Sequence, residues 1–170
     1  LSEIRKISED YSLTEIVAKL ISIRKKNIDN ISLFLNPKIK NFLPNPLKLK
    51  DMKNAINRVY KSIMNNELIG IFGDYDVDGA SSTALLVRYF NSLNQNIYKY
   101  IPDRSKEGYG PNIIGFNKLI KNGVKLIFTV DCGTLSFEPI KLAQKKGTDV
   151  IVLDHHQSDT KLPDAYAVVN

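Results

Sequence analysis

From residue 68 onward, short runs of apolar residues alternate with amphipathic stretches, and this alternation limits the folds open to the chain. Leu68–Phe72, Ile97–Ile101, Val124–Val130 and Val150–Leu153 read as strands, with Ala165–Val169 as one more. Between them, 81–93, 112–121 and 137–146 read as helices. Strands that are apolar on both faces and separated by helices predict a mostly parallel sheet with helices on both faces, an α/β architecture.

Ahead of this region the pattern is helical. The spacing predicts a helix over 12–27, opened by a capping-box pair, Ser12 and Glu15, with Leu13, Ile16, Val17, Leu20 and Ile21 on one face. Pro37, Pro44 and Pro46 mark 36–50 as a connector. A second amphipathic helix is expected over 51–64, with Ala55, Ile56, Val59, Tyr60 and Ile63 inward. In the helix over 81–93, Leu85, Leu86, Tyr89, Phe90 and Leu93 are expected inward. A helical N-terminal segment and connector over 1–50 thus precedes an α/β domain over 51–170.

The net charge of +6 is uneven: residues 1–69 carry 13 Lys/Arg against 7 Asp/Glu, and the remainder carries 11 of each. A basic arm on a neutral body suits a polyanionic partner, though an Ile-, Lys- and Asn-rich composition accounts for it equally well. No apolar run reaches the roughly 20 residues of a membrane span. The N-terminus lacks the apolar core of a signal peptide and an initiator Met, so a cytoplasmic protein with trimmed first residues is expected. The single cysteine, Cys132, fits a reducing compartment and reads as a small buried side chain.

Ligands of open parallel sheets bind at the carboxyl ends of the strands. Here those ends carry Gly73-Asp74-Tyr75-Asp76-Val77-Asp78-Gly79, Pro102-Asp103-Arg104 with Gly108-Tyr109-Gly110, Asp131-Cys132-Gly133-Thr134, and Asp154-His155-His156. Alternating carboxylates repel unless cations sit among them, and clustered oxygens suit Mg²⁺ or Mn²⁺. With the two histidines added, the set suits a two-ion site for displacement at phosphorus, and imidazole ligands tilt the choice towards Mn²⁺. An EF-hand loop would need Glu at the position of Leu85 and a helix before it. An aspartyl-phosphatase loop would not place Asp78-Gly79 after Asp76. The glycines permit close backbone approach to phosphate. Arg104 is a candidate phosphate clamp, or else the partner of Glu107 or Asp103. Tyr75 and Tyr109 serve packing or base stacking.

The four loops, in order, resemble the motifs of the DHH phosphoesterase superfamily, which Asp154-His155-His156 names. Gly73–Gly79, Ser105–Gly110, Phe34-Leu35-Asn36-Pro37 and Leu49-Lys50-Asp51-Met52 are similar to its RecJ branch. The resemblance implies a 5′-to-3′ exonuclease on single-stranded DNA in DNA repair and recombination, using Mn²⁺ or Mg²⁺, with two ions in the complete enzyme. It assigns Asp76, Asp78, Asp131 and His155 as metal ligands and His156 to the scissile phosphate or a metal. Asp74 and Asp154 would support the site, and Arg104, Gly108 and Gly110 would hold nucleotide phosphate. Single-strand-binding or repair proteins are the implied partners. Members of this type continue with a further metal-binding Asp and a DHH-associated domain. Residues 1–170 end before both, so the phosphoesterase domain is expected to be truncated and to show weak or absent activity alone. Other DHH enzymes cut oligonucleotides, cyclic dinucleotides or pyrophosphate. They usually carry a His before the paired aspartates, where this chain has Phe72 and Asp74. A non-catalytic single-strand-binding scaffold of this fold is expected to lose ligands, whereas here each motif residue is present.

Overall fold

The computed structural model describes residues 2–24 and 29–170. Two compact units form, Leu1–Asn45 and Pro46–Asn170. No helix among the described residues is long and apolar enough to cross a membrane.

The first unit contains α1 (Ser2–Tyr11), α2 (Glu15–Arg24), α3 (Ile31–Leu35) and α4 (Ile39–Phe42). Helix α1 was not foreseen, although Ile4, Ile7 and Tyr11 recur at helical spacing. It changes the meaning of Ser12. Instead of capping α2, Ser12 ends the preceding helix with a left-handed backbone, φ 51°. Next to it, Leu13 N–H donates to the Ser8 carbonyl, and the Ser8 hydroxyl donates to the Leu13 carbonyl. Ala18 and Ile21 of α2 are buried with Ile7, while Ile16 and Leu20 are exposed. The helix expected over 12–27 therefore starts later, and its residues 25–27 lie outside the described residues.

The second unit follows in chain order: α5 (Met52–Met64), β1 (Ile69–Gly73), α6 (Val77–Ser92), β2 (Ile97–Tyr100), α7 (Arg104–Glu107), α8 (Ile113–Lys121), β3 (Leu126–Val130), α9 (Phe137–Lys145), β4 (Asp149–Leu153) and β5 (Ala167–Val169). All strand pairs are parallel, in the order β2-β1-β3-β4-β5. The α/β fold expected from the apolar runs is thus present, with a helical segment before it.

Strand side chains alternate between two cores, as the pleat requires. Ile69, Ile71, Leu126, Phe128, Val130 and Ile151 join Phe90 of α6 and Ala55 of α5. On the other face, Phe72, Ile127, Val150 and Val152 meet Phe116 and Leu119 of α8 and Ile140 of α9. Two inward faces are narrower than expected. Ile56 and Tyr60 on α5, Leu85 and Tyr89 on α6, and Leu93 just beyond it are exposed, whereas Ala55, Val59, Ile63, Leu86 and Phe90 pack inward as expected. Helix α5 turns Arg58 inward instead, and α6 begins at Val77 because the Asp76 side chain caps it.

Arg58 ties the sheet end away from the motif loops together. Its guanidinium donates to Asp149, Glu67, Ser62 and the Lys125 carbonyl. Removing a buried partner strands the charges left behind. Arg58→Met is expected to cost about 2 kcal/mol in urea unfolding, short of a fully interior pair because the Asp149 side chain is 41% exposed. A loss indistinguishable from zero would remove the network from the account of stability.

Candidate metal centre

Strand order places β1 and β3 side by side while β2 lies on one flank and β4 on the other. The direction of winding reverses between β1 and β3, and such a reversal opens a crevice beyond the strand ends. Asp74 follows β1 and Asp131 follows β3, so both stand at this crevice.

The loop after β1 is shaped by close packing. A Cβ on Gly79 would lie inside contact distance of the Asp74 carbonyl, so the turn admits only glycine there. The Asp76 carboxylate accepts from Gly79 N–H at 3.0 Å and caps α6. Asp131 leaves β3 with φ 60°, a left-handed conformation uncommon for a residue with a side chain. Its backbone N–H donates to the Leu153 carbonyl at 2.9 Å, which registers this loop against the end of β4.

Beyond β4, the Asp154 carboxylate gathers donors. It accepts from Thr134 N–H at 3.0 Å and Thr134 Oγ1 at 2.7 Å. It also accepts from the backbone N–H of His155 and His156 and from His156 Nδ1 at 2.8 Å. Burial opposes its charge, but the Thr134 and His156 donors outweigh burial and hold the carboxyl down at about 2. The same hydrogen bond raises the His156 ring above its ordinary value. With Nδ1 directed at Asp154, Nε2 is the ring nitrogen left for another partner.

Two donor sets result. Asp131, His155 and His156 form one, and Asp74, Asp76 and Asp131 form the other; within each set the ligand atoms lie within 4.8 Å of one another. Asp131 belongs to both. Its Oδ1 lies 3.0 Å from His155 Nε2, while its Oδ2 is buried without a partner, as is Asp74 Oδ1. Burial, and then the neighbouring Asp76 charge, push the Asp131 carboxyl above its usual range. Asp76 moves the other way, chiefly through the Gly79 N–H. Orphaned carboxylate oxygens beside imidazoles are what a hard divalent cation satisfies, so these residues fit Mn²⁺ or Mg²⁺.

Most of the residues singled out from sequence meet here, with two differences. Asp74, expected only to support the site, stands among the donors. Asp78 lies exposed in the first turn of α6 and belongs to neither donor set. Arg104 is exposed at the start of α7, its guanidinium 5.2 Å from the centre of the Tyr75 ring. Among the described residues it pairs with neither Asp103 nor Glu107: Asp103 pairs with Lys106, and Glu107 bonds Tyr100. Gly108 and Gly110 both have positive φ, 78° and 75°. Between them, the Tyr109 hydroxyl lies 3.3 Å from the Asp131 carbonyl and 3.4 Å from the His156 ring nitrogens. Buried Cys132 has its thiol pushed up, chiefly by burial, and takes no part.

Two contributors were not singled out. Thr134 stood in a quoted motif, yet its two bonds to Asp154 depend on β3 and β4 being neighbours. Asn170 carried no signal; its Nδ2 donates to Thr134 Oγ1 and to the His156 carbonyl. A cleft of about 650 Å³ opens beside these groups, lined by Tyr109, Pro111, Thr134, Phe137, Asp154 and His156 among others.

The family model described as the DHH family, N-terminal domain, matches residues 68–170. The chain belongs to the DHH family. That match spans all four motif loops of this DHH chain. The single-stranded-DNA-specific exonuclease RecJ of Bacillus subtilis (strain 168) is 38% identical over 169 residues, which are 99% of this chain and 21% of that protein. A crystal structure of exonuclease RecJ bound to manganese is 32% identical, with a TM-score of 0.68 over 74% of this chain and 32% of that one. RecJ in complex with Mn²⁺ from Thermus thermophilus reaches a TM-score of 0.70 over 98% of this chain and 23% of that one. At 23% identity, this last match shows likeness of fold alone. This DHH chain spans about a fifth of the length of the B. subtilis relative, 21%.

Proposed function

We propose that the chain carries the metal-binding face of an exonuclease that hydrolyses phosphodiester bonds of single-stranded DNA, working 5′ to 3′ with Mn²⁺ or Mg²⁺. The observation that carries this reading is Asp131, a buried carboxylate shared by two adjoining donor sets, one acidic and one with imidazoles. The likeness to RecJ proteins, one of them solved with manganese and 32% identical to this chain, supports it.

Under this reading Asp74, Asp76, Asp131 and His155 hold the ions, and Asp78, exposed in the first turn of α6, is a further ligand. A bound divalent ion supplies Lewis-acid stabilisation of charge at phosphorus and lowers the pKa of water. The chain's own groups do the positioning. Asp154 orients His156 with Nε2 free for metal or phosphate, and Thr134 and Asn170 hold Asp154 and the His156 backbone in turn. Arg104 offers a forked cation to a nucleotide phosphate, and the backbone at Gly108 and Gly110 lets the strand approach. The cytoplasm is the proposed location, and single-strand-binding or repair proteins are the proposed partners.

The test is cleavage of labelled single strands against duplex in Mn²⁺, with Asp76→Ala beside the wild type. Residues 1–170 alone are expected to show weak or absent turnover, so the comparison is made in a full-length version that carries the downstream metal-binding Asp and the DHH-associated domain, where Asp76→Ala is expected to lose cleavage while still binding the strand. Identical behaviour of full-length wild type and variant would favour a binding scaffold and overturn the enzyme reading.

A further inference from the structure

Arg104 sits on α7, a single turn of four residues with no buried side chain. A turn this short does not stabilise itself, because nucleation costs more than one hydrogen bond returns. Something else must fix the place of Arg104. Among the described residues, the side-chain hydrogen bonds from α7 to the body of the domain are those of Glu107; Arg104 itself only lies over the Tyr75 ring. Glu107 Oε2 accepts from the Tyr100 hydroxyl at 2.6 Å and from Asn112 Nδ2 at 3.2 Å, and its Oε1 accepts from Asp103 N–H at 3.0 Å.

Those partners are anchored. Tyr100 ends β2 and packs on Phe72, ring centroids 5.4 Å apart. Asn112 caps α8 by accepting from Gly115 N–H at 2.8 Å. Glu107 therefore fastens α7 at both ends, to a strand, to a helix and to the residue before Arg104. Its charge is spent on these donors, which keep its carboxyl below the usual range despite burial. Asp103 is occupied as well, by Ser105 N–H and Lys106. The two acids nearest to Arg104 in sequence are thus withheld from it, and the guanidinium lies over Tyr75 in the loop that carries Asp74 and Asp76.

We infer that Glu107 is a positioning residue: by binding Tyr100, Asn112 and the Asp103 amide, it holds Arg104 unpaired beside the metal centre for a phosphate of the single strand. This rests on the proposed function, which supplies the strand. Glutamine is a poor substitute, because its single carbonyl oxygen cannot serve donors on both sides and its NH₂ would face one of them.

The test uses amide hydrogen exchange over 103–108 together with the affinity for a short phosphorothioate oligothymidylate in Mn²⁺. The proteins are the wild type, Glu107→Ala, Tyr100→Phe, Arg104→Ala and the double variant Glu107→Ala/Arg104→Ala. Glu107→Ala is expected to speed exchange over 103–108 but not in β3, and to weaken binding about tenfold, as a charge-assisted contact implies. Tyr100→Phe is expected to move both readouts the same way by less. Because Glu107 acts through Arg104, the double variant should bind no worse than Arg104→Ala. Additive losses, or a loosened turn with unchanged affinity, would overturn the inference and leave the nuclease reading standing. A wild type that does not bind the strand would overturn both.

Discussion

Asp131→Asn is expected to remove metal-dependent cleavage and, at the same time, to make the metal-free protein more stable. Partners one shell outside a metal ligand are typically worth ten- to a hundredfold, so a ligand shared by two donor sets should cost more than about a hundredfold in turnover. The gain in stability follows from the same position. Asp131 is buried, its Oδ2 has no partner, and Asp76 is close by. Its carboxyl is therefore raised in the folded state, so folding opposes the charged form, and that cost is present above the folded pKa and relieved as pH falls through it. Asparagine removes the charge at every pH. The lost contact with His155 Nε2 offsets little, because that side chain is 71% exposed. Thermal melts should place the variant above the wild type in EDTA and reverse the order in Mn²⁺, since the ion stabilises whatever binds it. Equal stabilisation of both proteins by Mn²⁺ would mean that the ion sits elsewhere.

Asp154→Ala is expected to have the largest effect on folding. The residue keeps five donors satisfied, from Thr134, His155 and His156, and its side chain is only 2% exposed. Leaving such donors without an acceptor should cost about 2–3 kcal/mol in denaturant unfolding. The wild type carries a matching acid sensitivity. Asp154 is lowered from 3.8 to about 2 on folding, so its contribution is complete above the unfolded value and disappears as pH falls through about 2. A pH series of melts between these limits should show the wild type losing stability that the variant never had. Parallel curves for the two proteins would show that the carboxylate is not held as the structure has it. His156 should lose its orientation in the variant, so Mn²⁺ affinity should fall alongside stability.

Much of this organisation was legible in the chain because one physical constraint produced it locally. Strands covered on both faces must be apolar throughout, and Ile69–Gly73, Leu126–Val130 and Asp149–Leu153 largely are. Helix faces were read less well for a related reason. Leu85, Tyr89, Ile56 and Tyr60 are apolar but exposed, and periodicity cannot say which of two adjoining stripes meets the sheet. Ser12 followed by Glu15 looks like a helix start, yet a helix ending at Tyr11 claims that serine for its own termination.

At the candidate metal centre, sequence determined the inventory: acidic, imidazole and glycine residues placed where parallel strands end. Tertiary structure decided which atoms meet. Alternating Asp74, Asp76 and Asp78 are equivalent as letters, but the chain turns into α6 at Val77, which leaves Asp78 exposed in the first turn and Asp74 buried beside Asp131. Glu107 and Asp103 were equal candidates to pair with Arg104 until Tyr100, Asn112 and Lys106 engaged them. Residue type and spacing specify what chemistry is available. Only the packing of β1, β3 and β4 side by side sets the few-ångström distances on which ligation and hydrogen bonding depend.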